Sequence, residues 1–435
     1  MRNMSPGFLL RVSVIRTLLT AVIAIVAFSR MSLIDGAANH GPTIEQERTG
    51  ERLVKNVDEP MIAATKRFAF RFSNLLLKQN ANRNVFVSPS SVIFALAMTY
   101  NGAEGKTRQA MARTLEIEGT GLNDVNSAFA DLQRMLGNAD PKVQLKIANS
   151  LWVKQGLNLK PDFIERSKQY YAAEVTNLDF NKPAAPLTIN SWVRNKTDNL
   201  IDKIVDQISP ETILFLVNAM YFKGQWENEF DKEKTKEDDF QLPTGRQKKV
   251  QMMSQSGRYR YFADKDFQAV SLTYGTGRTS MYVFLPDERI TLKEFEGKLT
   301  IENWESWMKS FRMALGEVML PRFKVEYETD LNDALKTLGM AEAFDPNLAD
   351  FSGIAEVKQG GRIYISKVKH KTFAEVNEEG TKAAAVTGVE MGVTSAIVPT
   401  QPFTMKVNRP FLFVIRDNAT GTILFIGSIA DPVSS

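Results

Sequence analysis

Few residues in this chain could do covalent chemistry. Its 435 residues include no cysteine and two histidines, His40 and His370. Thiolate catalysis, disulfides and thiolate metal centres are therefore excluded. A Ser–His hydrolase would have to take its base from one of those two histidines. Ser88 and Ser91, in the run Ser88-Pro89-Ser90-Ser91, are the candidate nucleophiles for His370. Neither stands in a G-x-S-x-G elbow, and no acidic orienter accompanies them. A satisfied polar core outweighs a nucleophile and base here. Residues 345–350 (DPNLAD) lack the glycine and closing glutamate of a calcium loop.

Residues 377–399 (NEEGTKAAAVTGVEMGVTSAIVP) suggest the opposite chemistry, that of being attacked. Every second residue gives Thr381, Ala383, Ala385, Thr387, Val389 and Met391, all small or apolar. The charges Lys382 and Glu390 fall on the other set. This is the period of a strand with one buried face. Gly380, Gly388, Gly392 and the Val/Thr content count against a helix. The segment nevertheless connects two strand-like runs. Connections of about twenty residues are uncommon in compact domains and are usually functional or disordered. It reads as a loop carrying the sequence of a strand it need not yet form.

The elements that would hold this loop are interspersed along the chain. Phe68, Phe72, Leu75 and Leu76 mark an amphipathic helix over 62–78, and Ser88-Pro89 opens another over 91–101. Alternation predicts strands over 143–153, 281–285, 317–327 and 369–376. The apolar run 213–222 reads as a strand buried on both faces, with Asn218 its one polar exception. Residues 411–416 and 422–428 form a hairpin around a turn at 418–421. Trp304, Trp307 and Phe311, at helical spacing, read as core. Strands and helices do not alternate regularly, so the fold class is α+β. The net charge of +4 and short basic runs such as Arg246-Gln247-Lys248-Lys249 give no reason to expect nucleic acid as a partner.

The run Glu378-Glu379-Gly380-Thr381-Lys382-Ala383-Ala384-Ala385 resembles the hinge of inhibitory serpins. Further segments resemble serpin segments in serpin order. They are Asn84-Val85-Phe86-Val87-Ser88-Pro89-Ser90-Ser91, the stretch from Leu216 to Trp226, Leu320-Pro321-Arg322-Phe323 and Asn408-Arg409-Pro410-Phe411-Leu412-Phe413. The resemblance covers residues 60–432. It implies a serpin fold with three β-sheets, about nine helices and an exposed reactive-centre loop. It also implies a suicide-substrate inhibitor of serine or cysteine endopeptidases. The protease cuts the loop and forms an acyl-enzyme. The freed residues 380–394 then insert into the main sheet before deacylation.

By the same resemblance, the hinge is Glu378, Gly380, Thr381, Ala383 and Ala385. Ser88, Ser91, Asn218 and His370 match the shutter, a polar cluster under strands that must part. Trp226, Arg322 and Glu378 match the breach, where insertion begins. Lys382 departs from the family's usual acid, on the outward face. The family's usual spacing from Glu378 places the reactive bond between Thr394 and Ser395. Met391, Val393, Ala396 and Ile397 are its neighbouring candidates. Small uncharged residues there suit an elastase-, subtilisin- or papain-like enzyme rather than a trypsin-like one. The family needs no cofactor and acts as a monomer. The alternative is a non-inhibitory serpin, a carrier or chaperone, which the small inward hinge residues disfavour.

At the N-terminus, Arg2, Arg11 and Arg16 precede an apolar run over 17–28, the length of a signal-peptide core. Residues 1–38 are read as a signal peptide or short membrane anchor. Residues 39–59 are read as a flexible leader and 60–435 as the serpin domain. Export to the periplasm or the extracellular space is expected. The absence of cysteine fits a bacterial envelope better than an animal secretory pathway.

Overall fold

Asp58 opens the first helix, α1 (Glu59–Gln79), by accepting a hydrogen bond from the Met61 amide, with Pro60 in the first turn. Phe68, Phe72 and Leu76 recur at four-residue spacing along its buried stripe. The computed structural model describes residues 58–137, 139–356, 361–380 and 401–433. The expected signal peptide and nearly all of the leader lie outside them. So do Thr381, Ala383, Ala385, Thr394 and Ser395. Among the described residues no helix is long and apolar enough to cross a membrane.

After strand β1 (Val85–Val87), Ser88 caps α2 (Pro89–Tyr100), and every residue of that helix is buried. Helices α3 (Gly105–Leu115) and α4 (Leu122–Gly137) follow, then β2 (Val143–Lys154), β3 (Asn158–Leu159), α5 (Pro161–Tyr171), β4 (Glu174–Leu178) and α6 (Ala185–Lys196). The apolar run predicted as one buried strand is β5 (Leu214–Gly224). A meander comes next: β6 (Lys236–Gln241), β7 (Gln247–Ala263), β8 (Phe267–Tyr274) and β9 (Thr279–Pro286). Helices α7 (Leu292–Glu296) and α8 (Ile301–Ser310) bury Phe295, Trp304 and Trp307, and Phe311 is buried just beyond. The chain continues through β10 (Arg312–Pro321), β11 (Phe323–Asp330), α9 (Asn332–Leu335), β12 (Ala355–Glu356) and β13 (Ile365–Val376). It closes with β14 (Phe403–Lys406), β15 (Phe411–Asp417) and β16 (Ile423–Ile429).

The nine α-helices and three sheets of the described residues make an α+β fold. One sheet has nine strands, in the order β1, β16, β15, β9, β8, β7, β10, β14, with β6 beside β7. A second has five, in the order β11, β13, β5, β2, β4, and the third is the short β3–β12 ladder. The alternation expected as one strand over 317–327 is two strands in different sheets. Pro321 ends β10 in the nine-stranded sheet, Arg322 turns there with its amide on the Gln251 carbonyl (2.8 Å), and Phe323 opens β11 in the five-stranded sheet. Proline lacks the amide needed to continue a ladder.

In the five-stranded sheet, β5 pairs β2 antiparallel over its whole length, and β13 pairs β11 antiparallel from Lys369 to Val376. Its central seam differs. There β13 and β5 run parallel, from Ile365 opposite Leu214 to Phe373 opposite Tyr221.

Candidate functional site

The parallel seam does not reach the top of the sheet. Above Phe373 and Tyr221, Ala374, Glu375 and Val376 pair only with β11, and Phe222, Lys223 and Gly224 only with β2. The strands splay apart there, directly below the hinge.

The three breach residues meet at this opening. The Glu378 side chain is buried and takes hydrogen bonds from Arg322 Nε (2.8 Å) and from the Thr235 hydroxyl, while Arg322 Nη2 stands 2.6 Å away. Burial pushes this carboxyl up, but the bonds from Arg322 and Thr235 outweigh it and hold it below the usual carboxylate range. The Trp226 indole donates to the Asn377 carbonyl (2.9 Å) and its amide to the Glu379 carbonyl (3.0 Å); the Phe230 amide holds the Glu378 carbonyl (2.9 Å). The indole stacks on Tyr274, with ring centroids 4.2 Å apart. Lys232 pairs with Glu379 at the surface.

Gly380 closes a tight turn: the Asn377 amide donates to its carbonyl (2.8 Å) and its own amide to the Asn377 carbonyl (3.2 Å). It also bridges Gln225, antiparallel, just beyond β5. Its φ is +131°, and a Cβ would stand 2.1 Å from the Gly224 carbonyl oxygen. Only glycine fits this contact.

Half-way down the seam, the four shutter residues form one buried network. The Ser88 amide donates to His370 Nε2 (3.1 Å). An amide can only donate, so Nε2 is unprotonated, and the proton sits on Nδ1 facing Asn218 Oδ1 at 2.5 Å. Ser91 Oγ also donates to Asn218 Oδ1 (2.7 Å), and Asn218 Nδ2 donates to the Ser91 carbonyl (3.1 Å) and Asn149 Oδ1 (2.6 Å). Every hydrogen-bonding position of the Asn218 amide is filled. Burial lowers the His370 pKa to about 3, so the ring is neutral. Neither serine hydroxyl bonds to the imidazole: Ser88 Oγ faces Ser90 Oγ and Met220 Sδ, and Ser91 Oγ faces Asn218. The arrangement binds strands to α2 and does not set a base against a nucleophile.

Asn149, Thr235 and Tyr274 were not singled out by sequence. Asn149 had a signal: it shares its strand face with Val143, Leu145 and Ile147 and is polar on that apolar side. Thr235 lies in an exposed polar stretch and had none.

Residues 63–432 match the family model described as serpin (serine protease inhibitor). The human leukocyte elastase inhibitor is 35% identical over 386 residues, 86% of this chain and all of that protein. The native structure of a thermophilic serpin, tengpin, superposes with a TM-score of 0.78 at 35% identity, over 86% of this chain and 95% of the other. Human thyroxine-binding globulin complexed with its hormone gives 0.79 at 27% identity, over 88% of this chain and all of the other. The chain belongs to the serpin family.

Proposed function

We propose that this serpin is a suicide-substrate inhibitor of elastase- or subtilisin-type endopeptidases. It would be cut near Thr394 and Ser395 and trap its target by inserting the loop between β13 and β5. The observation that carries this reading is the register of the hinge. The Gly380–Gln225 and Asn377–Gly380 bridges each fix a register for a strand continuing from Gly380. Extended step by step, both place Ala384 between Tyr221 and Phe373, which are already partners across the seam. The two constraints are independent and agree.

The same register assigns faces. Thr381, Ala383, Ala385, Thr387, Val389 and Met391 would fall beside Gly224, Phe222, Met220, Asn218, Leu216 and Leu214. Of these, Phe222, Met220, Leu216 and Leu214 belong to the main hydrophobic core. Lys382 and Glu390 would fall on the opposite face. This is the small-residue face read from the sequence. Insertion would replace one parallel seam with two antiparallel ladders, the more stable pairing per residue. About ten new hydrogen bonds at about 1 kcal/mol each give on the order of 10 kcal/mol, comparable with the stability of a domain.

Thyroxine-binding globulin shows that the fold also serves a carrier, so the fold alone does not make an inhibitor. The hinge register favours inhibition. The shutter geometry supports a protein that is not itself an enzyme. The N-terminal apolar run supports export, and the uncharged reactive bond supports a target with a small apolar specificity pocket.

Limited cleavage within 391–398, located by intact mass, should raise the melting temperature sharply. An elastase-type protease should give a complex stable on a denaturing gel, and trypsin should give none. Equal melting of cut and uncut protein would remove the inhibitory reading.

A further inference from the structure

β4 is the outer strand of the five-stranded sheet and pairs only with β2. The Gln155 amide donates to the Leu178 carbonyl (3.0 Å), so the backbone of Leu178 faces β2. Thr176 and Glu174, at two-residue spacing, face the same way. The amides and carbonyls of Val175 and Asn177 therefore point off the sheet, and nothing among the described residues bonds to them. An open edge of this kind offers donors and acceptors to a further strand, and natural edges are commonly blunted by lysine or proline. β4 has neither.

A groove of about 630 Å³ runs beside this edge, between β4 and α6. Thr176 and Leu178 line it from β4, Leu187, Ser191 and Trp192 from α6, and Trp152 from β2. Leu187 is 64% exposed, more than any other large apolar side chain of the described residues. The two indoles meet edge to face with ring centroids 6.1 Å apart. Trp152 Nε1 donates to Ser150 Oγ (2.9 Å), but the buried Trp192 Nε1 has no partner among the described residues. Of the described residues lining the groove, Glu174 alone is charged, and it is exposed and forms no ion pair. An edge strand backed by a helix offers the two things that strand addition uses, main-chain hydrogen bonds for affinity and side-chain pockets for specificity.

We propose that the β4–α6 groove binds an extended segment of another protein, added as a sixth strand along β4. The segment places a large apolar side chain opposite Thr176, between Leu178, Leu187 and Trp192. Two residues away, on the same face, it carries a lysine or arginine beside Glu174. The unpaired carboxylate sets the sign of the partner. The reactive loop of a second copy does not fit, because the one cation in residues 381–400, Lys382, has Gly380 and Ala384 at two-residue spacing. β2 and β5 separate the groove from the β13–β5 seam, so this binding is distinct from loop insertion and does not depend on it.

The test titrates the full chain with a fluorescein-labelled peptide of core Val-Thr-Arg-Thr-Leu-Thr-Val, read by anisotropy and by tryptophan emission. The same peptide N-methylated on the alternate amides that face β4 keeps every side chain and loses the main-chain donors. Wild type should bind the unmethylated peptide about tenfold more tightly or better. Glu174→Arg should weaken binding about tenfold at low salt, and a peptide with glutamate in place of its arginine should restore it. Leu187→Ser should weaken both peptides alike. Each variant should melt as wild type does, because both side chains are exposed. Absence of binding to wild type would overturn the proposal, as would equal affinity for the N-methylated peptide or failure of the charge exchange to restore binding. A dimer in sedimentation that Leu187→Ser abolishes would also overturn it and give the groove to a second copy. Binding that appears only in Leu53→Ser/Lys55→Glu would overturn it in favour of the chain's own leader.

Discussion

The breach and the shutter lie on the same seam and are closed by different physics. At the breach, Glu378, Arg322 and Thr235 form a charged knot in which Arg322 is partly exposed, and three further hydrogen bonds fix the turn above it. At the shutter, neutral His370, Asn218 and Ser91 lie wholly buried, each a partner of the next. Water can substitute for a loosened bond at the breach as it forms. At the shutter a broken bond leaves a dry polar atom, costing about 1–3 kcal/mol each. The top of the seam can therefore open in small steps, and the middle opens all together or not at all.

The largest expected difference comes from removing the hub of the dry network. Asn218→Ala should cost the uncleaved protein about 3–5 kcal/mol, read as a fall in the denaturant midpoint. A cost under about 1 kcal/mol would mean that water reaches the shutter and the contrast is wrong. Acid probes the same place without mutation. The folded pKa of His370, about 3, lies below its ordinary value of 6.5, so the unfolded chain takes up the proton first. Its contribution is complete above pH 6.5 and is lost as pH falls toward 3, at about 1.4 kcal/mol per unit. A His370→Gln variant should flatten that part of the pH–stability profile. At the breach, Glu378→Gln should cost about 1–3 kcal/mol. Lys232→Ala, which removes only the surface pair to Glu379, should leave stability nearly unchanged while Glu378→Gln does not. If the two behave alike, the breach is held by surface charge rather than by its buried carboxylate.

Much of this was legible in the sequence where a single local signal governs. Phe68, Phe72 and Leu76 marked α1, Ser88 its neighbour's cap, and the hydrophobic run with one asparagine marked β5 and its hub. The face assignment of the loop rests on its alternation and on the register at Gly380, since its residues lie outside those described. What stayed hidden depends on long-range pairing. That the strand ending at Pro321 and the one beginning at Phe323 belong to different sheets left one local trace, a shift of phase from buried Val318 and Leu320 to buried Phe323, Val325 and Tyr327. Thr235 gains its role only when Glu378, 143 residues later, is folded onto it.

The pairing of β1 also sets a timetable. Val85 finds its partner at Ser428, and Ser88 finds His370 only 282 residues further along. At ribosomal speeds of about 5–20 residues per second, on the order of tens of seconds separate these partners during synthesis. For most of that interval α2 has β2 and β5 against it but lacks β16. The seam waits for β13, and the pairing of β1 with β16 near the C-terminal end comes later still. A nascent chain therefore passes its most vulnerable period with β5 lacking its β13 neighbour, and whatever shields that edge while the ribosome finishes decides how much folded protein each message yields.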